Sequence, residues 1–195
     1  MKRSLAVATL AFGMAASAWA QPVQVRPLLG LGLTGGGDTV ARVVYSDGES
    51  DKVRAGGFIA VTTGLELQFT PLVSVQTLVG YHADDISASN GDVRFDRVPI
   101  ELLGHFRLTD TFRVGGGARY STRVRTRASG AASGVVPNED FKDTLGGVVE
   151  GEFTIGRYFG IKLRYVSEKF KSKTFPGASD LKGSHAGIYF VGYFF

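Results

Sequence analysis

Two side chains of this sequence have the types and positions that hydrolytic chemistry requires. His185 and Ser167 each stand at the end of a segment in which apolar and polar residues alternate, and both have the parity of the apolar residues. A serine paired with a histidine is a common nucleophile, and a carboxylate normally orients the histidine. The nearest carboxylate, Glu168, has the opposite parity to Ser167. The sequence therefore offers a nucleophile and a base without the third member of a triad.

The other two histidines suit structural or metal-binding roles. His82 precedes Asp84 and Asp85, so a metal site is one interpretation and a solvated loop is the favoured one. His105 lies on the polar side of its segment, where a hydrogen-bonded interior position is expected. The glycines at 35–37 are not followed by the strand and helix of a phosphate-binding loop. We therefore predict no metal and no cofactor.

The elements that must position these residues are strands. A period of two, which is typical of β-structure, recurs along the chain, and helical periodicity is hard to find. With 27 glycines, 14 phenylalanines and 7 tyrosines, the composition suits a twisted sheet. Eight segments of roughly ten residues are the pattern of a small transmembrane barrel. They are 23–33, 59–69, 73–81, 100–108, 112–120, 149–155, 159–166 and 185–195.

The connections between these strands alternate in length. Short turns are predicted at 70–72, 109–111 and 156–158. Long loops rich in glycine, serine and aspartate are predicted at about 34–54, 83–92, 126–143 and 170–184. Outer-membrane barrels have tight turns at the periplasmic end and long loops at the outer end. Pro99 interrupts the fourth strand, and because proline cannot donate to a β-ladder, we predict a bulge or an unpaired position near 97–99.

The N-terminus has the pattern of an export signal. Lys2 and Arg3 precede an apolar stretch at 5–16, and Ala18-Trp19-Ala20 is a small-x-small cleavage site. We predict a signal peptide at 1–20 and one barrel domain at 21–195. Without Lys2 and Arg3, 20 basic residues face 18 acidic ones, which is too even a balance to predict a nucleic-acid partner. The chain has no cysteine, so disulfides and thiolate chemistry are excluded.

The last segment has aromatic or aliphatic residues at every second position counted back from its end, namely Phe195, Tyr193, Val191 and Tyr189. This pattern resembles the C-terminal signature of bacterial outer-membrane β-barrels. The whole stretch 21–195 resembles small barrels of the OmpA, OmpX and opacity type. The resemblance implies an all-β fold, an eight-stranded antiparallel up-and-down transmembrane barrel in the outer membrane. It also implies a monomer whose last strand carries the signal for the barrel-assembly machinery, with these four residues facing lipid.

The apolar parity is expected to face outward. The polar parity carries many glycines and few charges for a solvated surface, and it suits a cramped barrel interior. Aromatic residues also gather near the strand ends, as in the two aromatic girdles of a membrane barrel. They are Phe69, Phe106, Phe112, Phe159 and Phe195 at the short turns, and Tyr81, Tyr120 and Tyr165 towards the long loops.

Three-residue turns fix which polar residues are neighbours inside the barrel. The turn centred on Asp110 sets Glu101 opposite Arg119, His105 opposite Gly115, and Arg107 opposite Arg113. The turn centred on Arg157 sets Glu152 opposite Lys162 and Glu150 opposite Arg164. The turn centred on Pro71 sets Glu66 opposite Gln76. Directly opposite side chains lie about 5 Å apart at Cβ. We therefore predict a luminal charge network with a structural role, made of Glu66, Glu101, Arg107, Arg113, Arg119, Glu150, Glu152, Lys162 and Arg164.

The leading functional hypothesis is a non-enzymatic outer-membrane barrel with an ion-paired, plugged lumen and a structural or surface-interaction role through its outer loops. One alternative is a narrow channel. Another is an enzyme similar to the lipid A deacylases, which are barrels with a membrane-facing Ser/His/Glu site, here built on His185 and Ser167. The His-x-Ser arrangement of that family is absent. Outer membrane lipid and lipopolysaccharide are the expected partners, with lipopolysaccharide phosphates near Arg123, Arg125, Arg127, Lys169, Lys171 and Lys173.

Overall fold

Eight long strands form the body of the protein in the computed structural model, which describes residues 22–44, 50–88, 91–175, 177 and 179–194. No helix in these ranges is long and apolar enough to cross a membrane. The predicted signal peptide at 1–20 and Phe195 lie outside the described residues. The strands are β1 (Gln24–Gly36), β2 (Phe58–Gln68), β3 (Val73–Ala88), β4 (Gly91–Arg107), β5 (Phe112–Ala128), β6 (Thr144–Ile155), β7 (Phe159–Ser167) and β8 (His185–Tyr193).

The eight strands close into an antiparallel up-and-down barrel. Each strand pairs with the next one along the chain, from β1 through β8. The ring is completed between β8 and β1, from Leu28 opposite Tyr193 to Gly36 opposite His185. This arrangement confirms the predicted fold class, and closure leaves no unpaired sheet edge within the barrel.

The three short turns lie where they were predicted, and threonine side chains shape two of them. Thr70 Oγ1 accepts hydrogen bonds from the amides of Leu72 and Val73. Thr109 Oγ1 does the same for Thr111 and Phe112. A side-chain oxygen that satisfies two turn amides holds the turn at one length. The register of the following hairpin is thereby fixed.

The apolar parity faces outward, as predicted. Leu29, Leu31 and Leu33 are each about half exposed. Leu28, which has the opposite parity in the same strand, is 2% exposed. The same alternation continues in the other strands, so an apolar band surrounds the barrel and charged side chains fill its interior. This exposed apolar band is suited to contact with lipid acyl chains, because a soluble protein rarely leaves so large a contiguous apolar surface uncovered.

The predicted irregularity near Pro99 is confirmed. Pairing of β4 with β3 is interrupted opposite Val98 and Pro99, between the pairs Ile100–Val79 and Arg97–His82. On the other side, β4 and β5 shift register between Asp96 and Val98. The extra residue belongs to β5, where Arg123 has a φ of 52°. The bulge reverses the parity of β5, so Val124 points inward and Arg123 outward.

The prediction of a long loop at 83–92 is wrong. β3 and β4 remain paired to Ala88 and Gly91, because Ile86, Val93 and Phe95 of this extended hairpin pack into a second core. That core, here called the outer apolar cluster, lies at the loop end and consists of Ala41, Val53, Ala55, Val93, Phe95, Val124, Phe141 and Phe170.

The other three long connections also contain regular structure. A hairpin of Thr39–Val44 and Ser50–Arg54 follows β1. The short segment Glu139–Asp140 pairs with β5, and Lys169–Phe170 pairs with Leu181–Lys182. A 3₁₀ helix spans Gly130–Gly134. These segments supply Val53, Phe141 and Phe170 to the outer apolar cluster, so the connections fold over the barrel end.

The prediction that Tyr189, Val191 and Tyr193 face lipid is wrong. Their exposed fractions are 1%, 4% and 4%, and the exposed parity of β8 is that of Ile188 and Phe190. Both parities of this segment are apolar, so its sequence did not distinguish them. The neighbouring strand decides, because Gly32 opposite Tyr189 leaves the space that the tyrosine ring occupies.

The close approach of β3 to Gly64 of β2 gives the first testable prediction. A Cβ atom on Gly64 would stand 2.0 Å from the carbonyl oxygen of Thr77 and 2.9 Å from the Cα of Leu78. Because these are backbone atoms, Gly64→Ala must displace β3, and we expect a loss of about 1–3 kcal/mol of unfolding free energy. The measurement is a urea titration in detergent micelles, with the folded fraction read from the faster gel migration of unboiled barrel.

Gly147→Ala is the matched control for this substitution. Nothing lies within 4 Å of a Cβ atom at Gly147, so its urea midpoint is expected to match that of the wild type. Equal midpoints for Gly64→Ala and Gly147→Ala would contradict the prediction.

Candidate functional site: the charge ladder in the lumen

A single chain of alternating acids and bases runs through the lumen of the barrel. Each member forms an ion pair with the next, with an N–O separation of at most 4.0 Å. We call this set the charge ladder. In order from the loop end it consists of Arg97, Glu168, Arg119, Glu101, Arg164, Glu150, Lys162, Glu152, Arg113, Glu66 and Arg26.

The outer part of the ladder begins below the outer apolar cluster. Arg97 Nε and Glu168 Oε1 are 3.1 Å apart, an ion pair without hydrogen-bond geometry. Glu168 Oε2 accepts hydrogen bonds from Arg119 Nε at 3.3 Å and from Ser121 Oγ at 2.7 Å. Arg119 then donates to Glu101 Oε1 at 2.7 Å. The ladder therefore joins β4 to β5, and both strands to the segment after β7.

The middle of the ladder is its most closely bonded part. Arg164 Nη1 donates to Glu101 Oε2 at 2.9 Å, and Arg164 Nε donates to Glu150 Oε2 at 2.7 Å. The other oxygen of Glu150 accepts hydrogen bonds from Lys162 Nζ at 2.6 Å and from His105 Nε2 at 2.7 Å. Glu150 thus accepts hydrogen bonds from two buried cations and from an imidazole.

The inner part of the ladder approaches the short turns. Lys162 Nζ is 3.6 Å from Glu152 Oε2, and that carboxylate accepts two hydrogen bonds from Arg113 at 2.9 and 3.1 Å. Arg113 Nη2 also lies 2.9 Å from Glu66 Oε2. Glu66 Oε1 accepts a hydrogen bond from Arg26, which ends the ladder.

Two neutral side chains brace the inner part. Gln76 donates to Glu66 Oε2 at 2.6 Å and accepts from Lys162 Nζ at 2.8 Å. The Tyr193 hydroxyl donates to Glu152 Oε1 at 2.7 Å and accepts from Arg113. These contacts explain why Tyr193 points into the barrel, since its hydroxyl completes a polar network that lies far from lipid.

Complete pairing is what makes so many buried charges tolerable. Every ladder member is at most 9% exposed, and an isolated ion moved into such surroundings would cost several kcal/mol. Six cations alternate with five carboxylates, so each inner charge has opposite charges on both sides. Such a network cross-links strands on opposite walls and fills the cross-section between them.

The pairs given by the turn rule are pairs in the sheet. Glu101 lies opposite Arg119, Glu152 opposite Lys162, and Glu150 opposite Arg164. Glu66 lies opposite Gln76, and Arg107 opposite Arg113. Eight of the nine residues named from the sequence are in the ladder. Arg107 is not, because it lies half-buried near the turn and has no carboxylate of a described residue within 4.0 Å.

Three ladder members were not named from the sequence. Arg26 has the polar parity of β1, and this parity could have identified it. Glu168 was considered only as a triad carboxylate, although its inward parity is the one that the ladder requires. Arg97 has the inward parity of Glu101, but it lies before the predicted start of the fourth strand at residue 100.

His105 lies in the lumen opposite Gly115, as predicted, and a Cβ atom on this glycine would lie 2.4 Å from the imidazole. His105, Glu150 and Glu152 place one donor atom each within 4.8 Å of one another, a grouping that could hold a metal ion. Lys162 Nζ and Arg113 Nη2 already contact these carboxylates. The protein's own cations therefore occupy the place where a metal ion would bind.

The structure separates the serine and histidine that suggested hydrolysis. Ser167 is on the exposed face of β7, and His185 is 2% exposed inside the barrel. His185 Nδ1 donates to the carbonyl of Gly183 at 2.7 Å, and its ring meets that of His82 with centroids 4.8 Å apart. The expected outward position of His185 is thus wrong, for the same reason as that of Tyr189.

The expected loop position of His82 is also wrong. This side chain is fully buried, with Nδ1 2.8 Å from Arg97 Nη2 and Nε2 2.9 Å from Thr34 Oγ1. Asp84 does not join it in a metal site but accepts a hydrogen bond from the Arg54 amide at 2.7 Å. His82 is a structural residue of the upper lumen, placed there because β3 continues beyond its predicted end.

Arg97 connects the charge ladder to the outer apolar cluster. Its Nη1 donates to the carbonyl of Ala55 at 2.7 Å, and its guanidinium lies 5.6 Å from the ring centroid of Phe95 and 5.5 Å from that of Phe170. Cation–π contacts of this length are favourable when desolvated. The lumen below Arg97 therefore holds the charge ladder and a buried apolar cluster that includes Leu28, Leu103 and Val191, and the outer apolar cluster lies above it.

Comparisons with known proteins agree with this architecture. Residues 4–194 match the family described as outer membrane protein beta-barrel domain. No curated protein sequence matches the chain. Among solved structures, Ail, the attachment invasion locus protein of Yersinia pestis, is similar with a TM-score of 0.53 and 16% identity, over 89% of this chain and 99% of that one. A second Ail structure, in complex with the heparin analogue sucrose octasulfate, gives 0.53 and 14% over the same shares. Neisserial surface protein A gives 0.47 and 12%, over 89% and 97%.

Proposed function

Because the chain belongs to the outer membrane protein beta-barrel domain family, and is thus a protein of the outer membrane, we propose that it is a non-enzymatic barrel that does not conduct and that presents its folded outer end to the surroundings. The charge ladder closes the inner lumen, and the outer apolar cluster closes the loop end. The barrel anchors this surface in the membrane. The physiological role is structural or interactive.

The observation that carries the proposal is the continuity of the ladder. An unbroken series of ion pairs links Arg97 near the loops to Arg26 near the turns. No stretch of small residues interrupts this series. Eight strands leave an interior just wide enough for side chains to fill. A permeating ion would have to displace several buried ion pairs at once, and each disruption costs several kcal/mol. This argument disfavours the narrow-channel alternative.

Planar-bilayer recording tests the closed lumen. We expect no discrete single-channel steps from purified barrel, in membranes where an open sixteen-stranded porin gives steps under the same voltage and salt. The unboiled gel migration of the same preparation verifies that the inserted protein is folded. Reproducible steps whose frequency rises with protein concentration would contradict the proposal and support a channel.

The absence of hydrolysis is part of the proposal, and the supporting observation is that Ser167 and His185 lie on opposite faces of the barrel wall. We expect Ser167→Ala to leave the lipid A acylation pattern unchanged in a mass spectrum of whole-cell lipid A. Ser167 is exposed, so this variant should fold normally. Loss of a deacylated species in Ser167→Ala, with the barrel still folded, would support the enzyme.

The remaining parts of the proposal concern partners. Insertion would depend on the barrel-assembly machinery and on the last strand with Tyr189, Val191, Tyr193 and Phe195, and the barrel would be a monomer. The related fold of Ail has been seen with a sulfated sugar analogue. For this chain we propose contacts of the outer rim with anionic groups of lipopolysaccharide, through basic side chains above the apolar band.

A further inference from the structure

The outer rim carries a group of lysines that three separate chain segments bring together. We call Lys142, Lys169, Lys171, Lys173 and Lys182 the lysine patch; they are five of the seven lysines that follow residue 20. All five are exposed. Sequence reasoning named only the three at 169–173, because Lys142 and Lys182 come from other segments.

Strand pairing places these lysines opposite one another. Lys169 is the direct partner of Lys182. Phe141 pairs with Ser172, and the amide of Lys142 donates to the carbonyl of Lys171 at 2.8 Å, so these two lysines are also opposite. Like charges directly across a strand pair destabilise it. Two adjacent lysine pairs therefore lower the stability of this region, and packing of the fold does not require lysines at these positions.

The apolar residues between the lysines force them outward. Phe141 and Phe170 are buried in the outer apolar cluster, and Leu181 packs against it. Because side chains alternate along a strand, Lys142, Lys169 and Lys182 must point away from the barrel interior. The lysine patch is thus the exposed side of the sheet that covers the loop end.

The neighbouring arginines are neutralised, but the lysine patch is not. Arg125 pairs with Asp96 at 3.1 Å and Arg127 with Asp140 at 2.7 Å. Within the described ranges, no Nζ atom of the five lysines has a carboxylate oxygen within 4.0 Å, although Asp38 accepts a hydrogen bond from the backbone amide of Lys182 at 2.8 Å. The structure thus distinguishes the lysines from Arg125 and Arg127, which looked equivalent to them in the sequence, and the lysine ammonium groups are available to an external anion.

The height of the lysine patch identifies the anion. Inward parity is unbroken through Val166, Glu168 and Phe170, so Tyr165, Ser167, Lys169 and Lys171 form one outward column. Tyr165 is 51% exposed and belongs to the aromatic girdle, which marks the membrane interface. Lys169 and Lys171 lie two and three steps above Tyr165 in this column, on the side of the lipid headgroups. Lys142, Lys171 and Lys173 also line, together with Asp180, an open cavity of about 290 Å³ that has room for a phosphate group.

From this geometry we infer that the lysine patch binds the phosphate groups of the outer-leaflet lipid, which in an outer membrane is lipid A. This inference deepens the proposed surface role and rests on its orientation, with the loop end outward. Each lysine near an anionic headgroup is attracted to it, and a bound phosphate would relieve both like-charge pairs. The barrel would thereby hold a specific lipid neighbour beside β6 to β8.

The test compares two double variants of the full chain in phosphatidylcholine nanodiscs. Lys169→Ser/Lys171→Ser removes one member of each opposed pair. Arg42→Ser/Lys52→Ser is the matched control, since it removes a directly opposed cation pair from the first outer hairpin. Bisphosphorylated lipid A is added at increasing fractions, and its binding is counted by native mass spectrometry. We expect about tenfold weaker binding of bisphosphorylated lipid A in the first variant only. With dephosphorylated lipid A, we expect no difference in binding between that variant and the wild type.

Equal weakening in both variants would overturn the inference, because it would reduce the effect to net charge. Unchanged lipid A binding together with loss of a sulfated oligosaccharide from the same variant would also overturn it, in favour of a soluble partner. Gel migration without boiling verifies that both variants are folded. The bilayer recording is independent: current steps with intact lipid A binding would remove the closed-barrel proposal and leave this inference standing.

Discussion

Glu150→Leu is expected to cost about 3–5 kcal/mol of unfolding free energy, because it leaves buried cations without their counter-charge. Glu150 lies 2.6 Å from both Lys162 and Arg164 and accepts a hydrogen bond from His105. Without it, Lys162 keeps one carboxylate at 3.6 Å and Arg164 keeps Glu101. The measurement is the urea midpoint and slope in micelles, with the folded fraction read from gel migration.

The double variant Glu150→Leu/Lys162→Met distinguishes lost charge balance from lost packing. Removing both members of a buried pair is expected to cost less than removing the acid alone, because no charge is then left uncompensated. Asp110→Asn, in an exposed turn, should change the midpoint little. A double variant less stable than Glu150→Leu would show that volume and hydrogen bonding, rather than charge, determine the effect.

Phe170→Ala is expected to open the outer end of the barrel while the barrel itself stays folded. Phe170 is fully buried, and its ring centroid lies 5.7 Å from that of Phe95 and 6.4 Å from that of Phe141. Truncating a buried phenylalanine typically costs about 3–5 kcal/mol. Among the described residues, Phe170 is the one buried residue that the segment after β7 contributes to the outer apolar cluster, so the cost should appear as local opening. Trypsin cleavage after Lys169, Lys171 or Lys173 should accelerate by about 100-fold or more.

Phe175→Ala is the control in the same segment, because this ring is 48% exposed and leaves no buried cavity when truncated. Its cleavage rate should stay within a few-fold of the wild type. Cleavage of barrel strands in Phe170→Ala would mean that the outer apolar cluster and the barrel unfold as one cooperative unit. Such a result would contradict a separately stable outer end.

The two substitutions affect different layers of the same lumen. Glu150 belongs to the part that contains the ion pairs of the ladder, and Phe170 to the outer apolar cluster, with Arg97 in contact with both. The side chains of both layers point into the barrel. The contrast between them arises because the inward residues change from charged to apolar towards the loop end, as in Glu101 and Phe95 of β4.

The sequence by itself determined the strands, their up-and-down order and much of the ladder. These features depend on local rules: alternation within each strand, and short turns that fix register within each hairpin. Glu101 and Arg119 could be paired for that reason, as could Glu152 and Lys162. The outward direction of the apolar parity followed from the same patterns, because the opposite parity carried the charges and glycines.

Only the tertiary structure decided what depends on residues far apart in the chain. The inward direction of Tyr189 depends on the space above Gly32, on a strand more than 150 positions earlier, and the sequence of β8 is apolar on both faces. The contacts of Arg97 depend on Glu168 and Phe170, which follow β7. Glu168 joins the ladder, and Lys142 joins Lys171, because barrel closure and outer pairing bring separate segments together. Local periodicity cannot predict such contacts, because it indicates which residues share a face of a strand but not which faces come into contact.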